Sequence, residues 1–567
     1  MAEHADEIGL GPVIAGLTGP GGEFELETVA AGGGRPVRVY RRGPHTLREL
    51  WETTATWPER TFTVHHGERL TYGAHRSLVA DLARHLLDGL GLRRGDRVAI
   101  AMRNLPEWPV AFFAAQVAGL VSVPLNAWWS APELAWAVAD SGARVVMADP
   151  ERAAALTTAW SADEGPPRAV PVIRVRGDVP AVAAAGVVDW DALGLRTDGP
   201  GTLDGLPAPD VGDDATILYT SGTTGRPKGA VGTHLNHVTN LLNVALQARA
   251  TALLTGAEPP SGQQGTLLMY PMFHIAGING LVGAVLGGSK LATLHRWDPV
   301  AARSVVREER LTRSNGVPST TAELVDGADP ADLASLRMFG MGGAPVPPEL
   351  VTRIGRELGA GTANGYGLTE TTSAICANTG SDYAARPDSV GRPAPGADLR
   401  IAGPAGDALP DGEVGELWFR GPNIVRGYWN DPDADAAAFT DGWFRTGDLG
   451  HVTDGWVYVV DRLKDVVLRG GENIYSAQVE AAIHEVPGVV EAAVVGVPHP
   501  RLGEEVAAIV RVSPGTAPDD DAVRSAVAER VGGFAVPAHV RWTVEPLPRT
   551  ATGKVRKREL RDGFTAG

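Results

Sequence analysis

A chain of 567 residues is too long for one compact core, so two or more domains are expected. Lys+Arg 51 against Asp+Glu 67 leaves a net charge of −16, which gives little general pull on nucleic acid or anionic membranes. Apolar residues at 44% and charged residues at 21% form an ordinary globular mix, and a single cysteine, Cys376, excludes an intrachain disulfide and a Cys-rich metal site and fits a reducing cytoplasm.

Residues 1–45 are Gly-rich and weakly patterned, and their start, MAEHADEIGLG, lacks the basic and apolar regions of a signal peptide. They read as an extension before a first regular helix near Thr46 to Thr54. Strand and helix patterns then alternate. Arg97 to Met102 reads as strand, Glu107 to Leu120 as helix, Val121 to Pro124 as strand, Ala131 to Asp140 as helix and Ala143 to Ala148 as strand. The apolar stretch Val110 to Leu125, interrupted by Gln116 and Gly119, falls short of the roughly 20 residues of a membrane span and suits a buried helix followed by a strand. This spacing implies βαβ units and an α/β fold with mostly parallel sheets. The pattern resumes at Asp214 to Tyr219, Gly265 to Tyr270 and Lys290 to Leu294. Trp418 to Arg420 and Trp456 to Val460 suggest a β-rich subdomain. Beyond it, Ser476 to Glu485 (helix), Val489 to Val497 and Val506 to Val512 (strands) and Asp520 to Val531 (helix) form a small α+β module. The expected organisation is an extension at 1–45, a large domain at 46–461 and a mobile C-terminal domain at 462–567.

The string Thr220-Ser221-Gly222-Thr223-Thr224-Gly225-Arg226-Pro227-Lys228-Gly229 follows an apolar strand. Its glycines let backbone approach an anion, the hydroxyls of Thr220, Thr223 and Thr224 can donate to phosphate oxygens, and Lys228 adds a point charge. The spacing is not that of the NTPase P-loop.

This string resembles the phosphate loop of the adenylate-forming superfamily, which includes acyl-CoA synthetases, luciferases and peptide-synthetase adenylation domains. Four further segments resemble that family in the same order: Tyr366-Gly367-Leu368-Thr369-Glu370, Thr446-Gly447-Asp448, Asp461-Arg462-Leu463-Lys464-Asp465, and Pro548 to Lys554 ending in Gly553-Lys554. The resemblance implies ATP-dependent activation of a carboxylic acid to acyl-AMP, with pyrophosphate leaving, then transfer to CoA.

It also implies roles. Glu370 would hold Mg²⁺, a hard cation that prefers oxygen ligands. Thr220, Ser221, Gly222, Thr223, Thr224, Gly225 and Lys228 would cradle the triphosphate. Tyr366, Gly367 and Thr369 on one side and Gly343, Ala344 and Pro345 on the other would form the adenine pocket. Asp448 and Arg462 would take the ribose. Lys464 would be the hinge, Lys554 would supply a cation to the acid oxygen and the α-phosphate, and Gly470 and Gly471 would let a pantetheine arm pass. Pro271-Met272-Phe273-His274 resembles the wall of the acyl pocket; His274 in place of an Asp disfavours an α-amino acid and suits a fatty or aryl acid. Gly277 and Gly280 would leave space there, with Trp128 and Trp129 adding apolar surface. Long-chain acyl-CoA ligases of actinobacteria are similar in the extension and in Asn126 to Trp129. His234 and His237 lack a third ligand nearby and are read as structural.

Three positions depart from the acyl-CoA synthetase pattern: Ser476 stands for Pro, Gln478 for Glu and Ala535 for Lys. They leave open a different acceptor, such as a carrier-protein thiol or an amine, or an unusual acid such as nitrite. A homodimer is compatible with this reading.

Overall fold

The computed structural model describes residues 9–30, 36–161, 170–176, 186–220, 226–257, 261–517, 519–550 and 554–565. The chain forms two compact units, one of Met1–Asp398 with Arg420–Gly442 and one of Leu399–Phe419 with Trp443–Gly567.

In the first unit, among the described residues, seven strands form one sheet in the order Lys228–Thr233, Asp214–Thr220, Val121–Pro124, Arg97–Ala101, Val145–Ala148, Val172–Arg174 and Val187–Asp189. The first pair is antiparallel and the rest are parallel. A nine-stranded sheet contains Thr61–His65, Lys290–Thr293, Gly265–Leu268, Arg313–Gly316, Met338–Gly342 and Gly361–Leu368 as a parallel run, with antiparallel strands at both edges. Runs that are apolar throughout suit parallel strands covered on both faces, and Val121–Pro124 and Val145–Ala148 are buried at every position.

The stretch 108–125 is buried throughout, as helix Glu107–Val117 and the strand after it. Gln116, fully buried, donates through its Nε2 to Ser122 Oγ (2.8 Å) and to the Ala215 carbonyl (3.0 Å), tying helix to sheet. Cys376 is buried, as a small apolar group would be. No helix among the described residues is long and apolar enough to cross a membrane.

The extension departs from its reading. The first regular helix is Leu10–Thr18, followed by an antiparallel pair, Leu26–Ala30 with Pro36–Tyr40. A nine-residue helix with three non-helical signals (two glycines and a proline) is marginal alone. Ile14, Leu17, Phe24 and Leu26 pack on the main core, and the Tyr40 hydroxyl donates to Asn243 Oδ1 at 2.6 Å. Tertiary docking overrides propensity here.

The second unit contains the antiparallel strands Gly415–Arg420, Trp443–Thr453 and Trp456–Arg462, then a sheet ordered Glu472–Ile474, Val467–Arg469, Gly503–Val512, Val489–His499. His539–Thr543 joins Gly503–Val512 in parallel. Helices Ser476–His484 and Asp520–Arg530 bury Val479, Ile483, Val523 and Val527 in this unit's core. The β-rich segment therefore groups with the C-terminal residues.

Candidate functional site

The strands Asp214–Thr220 and Lys228–Thr233 pair antiparallel, with Thr220 opposite Lys228. Ser221, Gly222, Thr223, Thr224 and Gly225 lie outside the described residues. The segment 426–429 runs along the second strand: Trp429 N–H donates to the Gly229 carbonyl (2.7 Å), Val231 N–H to Gly427 (2.9 Å) and Arg426 N–H to Val231 (3.1 Å). Arg426 is pinned by a two-pronged pair with Asp214 at 2.6 and 2.8 Å. Close approach is needed at Gly229, where an added Cβ would stand 2.7 Å from Ile217 Cγ2.

That pairing sets Tyr428. Its ring lies 5.5 Å from Lys228 Nζ, and its hydroxyl donates to Glu370 Oε1 at 2.8 Å. Burial, with the Glu370 carboxylate next to it, pushes the Tyr428 phenol well above its usual range, so it stays a donor. Glu370 is buried and has no ion pair among the described residues. A buried carboxylate with hard oxygen donors and no cation of its own fits the Mg²⁺ role expected of it.

Glu370 sits in a single turn, Thr369–Thr371, at the end of strand Gly361–Leu368. The chain then reverses through two non-glycine residues in the left-handed region, Thr372 (φ 50°) and Ser373 (φ 84°). Such strain persists where surroundings over-determine it. Thr371 Oγ1 is hydrogen-bonded to the Ser373 carbonyl (2.6 Å) and the Leu368 carbonyl (3.1 Å), and Asn423 Nδ2 donates to the Thr371 carbonyl (3.1 Å). Gly367 is forced by the same reversal, since a Cβ there would lie 1.8 Å from the Ser373 carbonyl oxygen. Gly367→Ala is therefore expected to cost about 3 kcal/mol of stability, read by urea unfolding; a loss under about 0.5 kcal/mol would contradict the packing.

The two expected walls of the adenine pocket are neighbours. Met338–Gly342, which leads into Gly343, Ala344 and Pro345, pairs in parallel with the strand that carries Tyr366, with Gly342 opposite Gly365. Gly343 takes φ +80°, and Gly343 and Pro345 are exposed. The Tyr270 hydroxyl bonds the carbonyls of Gly316 (2.6 Å) and Gly342 (3.1 Å), bracing the end of that strand.

His274 opens helix Ile275–Gly287, and its Nδ1 accepts from the Ala276 N–H at 3.2 Å. Asn104 holds the preceding residues, accepting from Met272 N–H (2.7 Å) and donating to the Tyr270 carbonyl (2.9 Å). Trp128, 49% exposed, meets Phe273 edge-on at 5.6 Å and carries the Arg103 guanidinium over its ring at 4.1 Å. Gly277 and Gly280 of this helix serve packing and open no space. A Cβ on Gly277 would stand 2.1 Å from the Pro271 carbonyl oxygen, and one on Gly280 2.7 Å from Leu268 Cδ1. His234 Nδ1 accepts from Leu47 N–H (3.2 Å) and His237 Nε2 meets Thr216 Oγ1 (2.9 Å), which are structural bonds.

In the second unit, Asp448 is buried and pairs with Arg462 at 3.1 Å across two adjacent strands, so these two ribose candidates are brought together. Lys464 is exposed just after them. Gly470 (φ +63°) and Gly471 (φ +93°) form the two-residue turn between Val467–Arg469 and Glu472–Ile474, a hairpin that demands positive φ at both positions. Lys554 stands on one leg of another antiparallel pairing: Thr550 N–H donates to the Lys554 carbonyl (2.8 Å), Lys554 N–H to Thr550 Oγ1 (3.2 Å), and Arg556 N–H to the Pro548 carbonyl (2.8 Å). Residues 551–553 are outside the described range.

Tyr428, Asn104 and Tyr270 were not singled out from sequence. Tyr428 lies 58 residues from its carboxylate partner, and only the strand pairing reveals it.

The AMP-binding enzyme model matches residues 50–429, and the AMP-binding enzyme C-terminal domain model matches residues 478–554. The chain is 37% identical over 542 residues to a feruloyl-CoA synthase of an Amycolatopsis species, covering 94% of this chain and 99% of that protein. It is 33% identical over 506 residues to the long-chain-fatty-acid–CoA ligase FadD13 of Mycobacterium tuberculosis, covering 88% and 94%. Among solved structures, ATP-bound MatB from Rhodopseudomonas palustris superposes with a TM-score of 0.79 at 28% identity, over 91% of this chain and 99% of that one.

Proposed function

The chain belongs to the AMP-binding enzyme family, and on that premise we propose that Glu370, Tyr428 and Lys228 form the centre that receives the ATP phosphates and that the acid is fatty or aryl. The protein is an AMP-forming acid–thiol ligase. The acid's carboxylate oxygen attacks the α-phosphate of ATP, the bond to the β-phosphate breaks and pyrophosphate leaves. The CoA thiol then attacks the acyl carbon, loses its proton and releases AMP.

The observation that carries the proposal is the Tyr428 hydroxyl bond to Glu370 Oε1 at 2.8 Å, with Lys228 on the same ring. It presents one buried carboxylate, held in one orientation, at the root of the Thr220–Lys228 hairpin. Positioning and charge stabilisation supply most of the catalysis in phosphoryl chemistry, and no protein nucleophile is needed. Glu370 would hold Mg²⁺, which neutralises charge on the phosphate oxygens when bound. Lys228 adds a cation to the loop, Asp448 and Arg462 suit the ribose hydroxyls, and Tyr366 with Gly343 to Pro345 suits the adenine. Lys554 on its hairpin supplies the cation for the α-phosphate. The residues around 461–465 serve as the hinge of the C-terminal domain.

Phe273 and Trp128 make the acid's neighbourhood aromatic, and no carboxylate follows Phe273 to pair with a substrate ammonium. This favours an apolar acid. The use of ATP and CoA as substrates supports the reading of a cytoplasmic enzyme.

The test is a panel of fatty, aryl and α-amino acids with ATP and Mg²⁺, with and without CoA, read as nucleotide and thioester. Turnover of fatty or aryl acids to AMP and a CoA thioester is expected. Release of ADP would overturn the adenylation centre. Turnover of amino acids above the others would overturn the substrate class, and a product indifferent to CoA would overturn the acceptor.

A further inference from the structure

Resting on Lys554 as the adenylation lysine, we propose that Ser476 and Lys557 are positioning residues that fasten the Lys554 hairpin to the strand end leading into the hinge. The departure at Ser476 thereby acquires a physical account.

The chain of contacts is continuous and lies wholly within the C-terminal unit. Asp461, near the end of strand Trp456–Arg462, is buried. Its Oδ1 accepts from the Ser476 hydroxyl at 3.2 Å and from the Arg462 N–H at 2.7 Å. Ser476 is fully buried at the first position of helix Ser476–His484, and its oxygen accepts from Lys557 Nζ at 2.7 Å. A serine hydroxyl has one proton to give and lone pairs to receive; here both capacities are used. Proline at this position would suit the first turn of a helix but could bridge nothing. Lys557 Nζ also pairs with Glu480 Oε1 at 2.7 Å, and that oxygen accepts from Val494 N–H at 2.8 Å.

Lys557 is the first residue of helix Lys557–Thr565, directly after the hairpin that carries Lys554. The other leg of the hairpin is held too: Arg549 pairs with Glu491, which also takes Arg511 at 3.0 Å. Both legs are thus tied to the body of the unit, and one of them reaches Asp461 through two side chains. A lysine has a flexible stem, so the placement of Lys554 depends on how firmly its hairpin leg is held. The single ammonium of Lys557 pairs with the partly buried Glu480 and reaches the buried Asp461 through the Ser476 hydroxyl, so its position is strongly determined.

The test separates the two half-reactions. Acid-dependent ATP–pyrophosphate exchange reports adenylation, and conversion of preformed acyl-AMP with CoA reports thioester formation. Ser476→Ala, which removes the bridge and keeps the Lys557–Glu480 pair, is expected to lower kcat for exchange by about tenfold, as misplacement of a catalytic group does. KM for ATP and the thioester step should hold. Lys557→Met should do the same more strongly, and Lys557→Arg should restore most of the rate. Exchange at the wild-type rate in Ser476→Ala and Lys557→Met overturns the proposal, and so does an equal fall in both half-reactions, which would mark a general loss of folding. Lys554→Ala stands apart as the control: if it exchanges normally, the reading beneath the proposal has failed, whatever the other variants do.

Discussion

Lys554→Ala should abolish acid-dependent ATP–pyrophosphate exchange, with a loss of about 10²- to 10³-fold or more, the usual consequence of deleting one stabilising charge. The same variant should still convert preformed acyl-AMP and CoA to thioester at close to the original rate. The asymmetry follows from where charge develops. Adenylation builds negative charge on the α-phosphate oxygens as pyrophosphate departs, and an ammonium there lowers the barrier. Thioester formation occurs at the acyl carbon, with AMP as a ready leaving group. Labelled pyrophosphate exchange and thioester absorbance measure the two steps separately. Equal loss of both would remove Lys554 from its role.

Acid should destabilise the large unit steeply, beginning below about pH 6.5, the ordinary imidazole value. His75, His234 and His237 are buried, and burial lowers their values to about 3, about 4 and about 3. His75 lies between the rings of Phe62 and Phe113, at 4.7 and 5.7 Å, where a charge would have little to satisfy it. His65 is lowered to about 4, by burial first and then by His66, Arg176 and His295. Between pH 6.5 and these lowered values the unfolded chain binds protons that the fold refuses, so stability falls as pH falls. Each such histidine contributes up to about 1.4 kcal/mol per pH unit in that window. In the C-terminal unit, burial raises Asp461 and Glu480, and raised carboxylates work in the opposite sense on acidification. Calorimetry from pH 7 to 4.5 should show the melting temperature of the large unit dropping, and a flat profile would contradict the neutral buried histidines.

Much of the chemistry was legible because it is written in short, contiguous strings. The Thr220–Lys228 loop, Tyr366 to Glu370, Asp448 and Lys554 each sit in a local pattern of glycines, hydroxyls and charges. The backbone freedom and donors that phosphate contact requires are properties of adjacent residues. The alternating strands and helices were legible for a related reason: parallel strands buried on both faces must be apolar throughout, and 108–125 shows it.

What the sequence could not decide depends on residues far apart along the chain. Leu10–Thr18 is helical because the core accepts Ile14 and Leu17, although its own propensity is poor. Gly277 and Gly280 read as space for an acid, yet the Pro271 carbonyl and the Leu268 side chain fill that space. Glu370 was readable as a carboxylate in a loop. Its orientation depends on Tyr428, delivered by a strand pairing with residues 229–231. Ser476 looked like a loss of the family's proline until Asp461 and Lys557 were seen on either side of its hydroxyl. The sequence by itself determined the kind of chemistry, because reactive groups and turn-forming glycines are local. Only the tertiary structure decided which groups face one another and which cavities are filled, because packing and hydrogen-bond satisfaction are set by distant segments meeting in space.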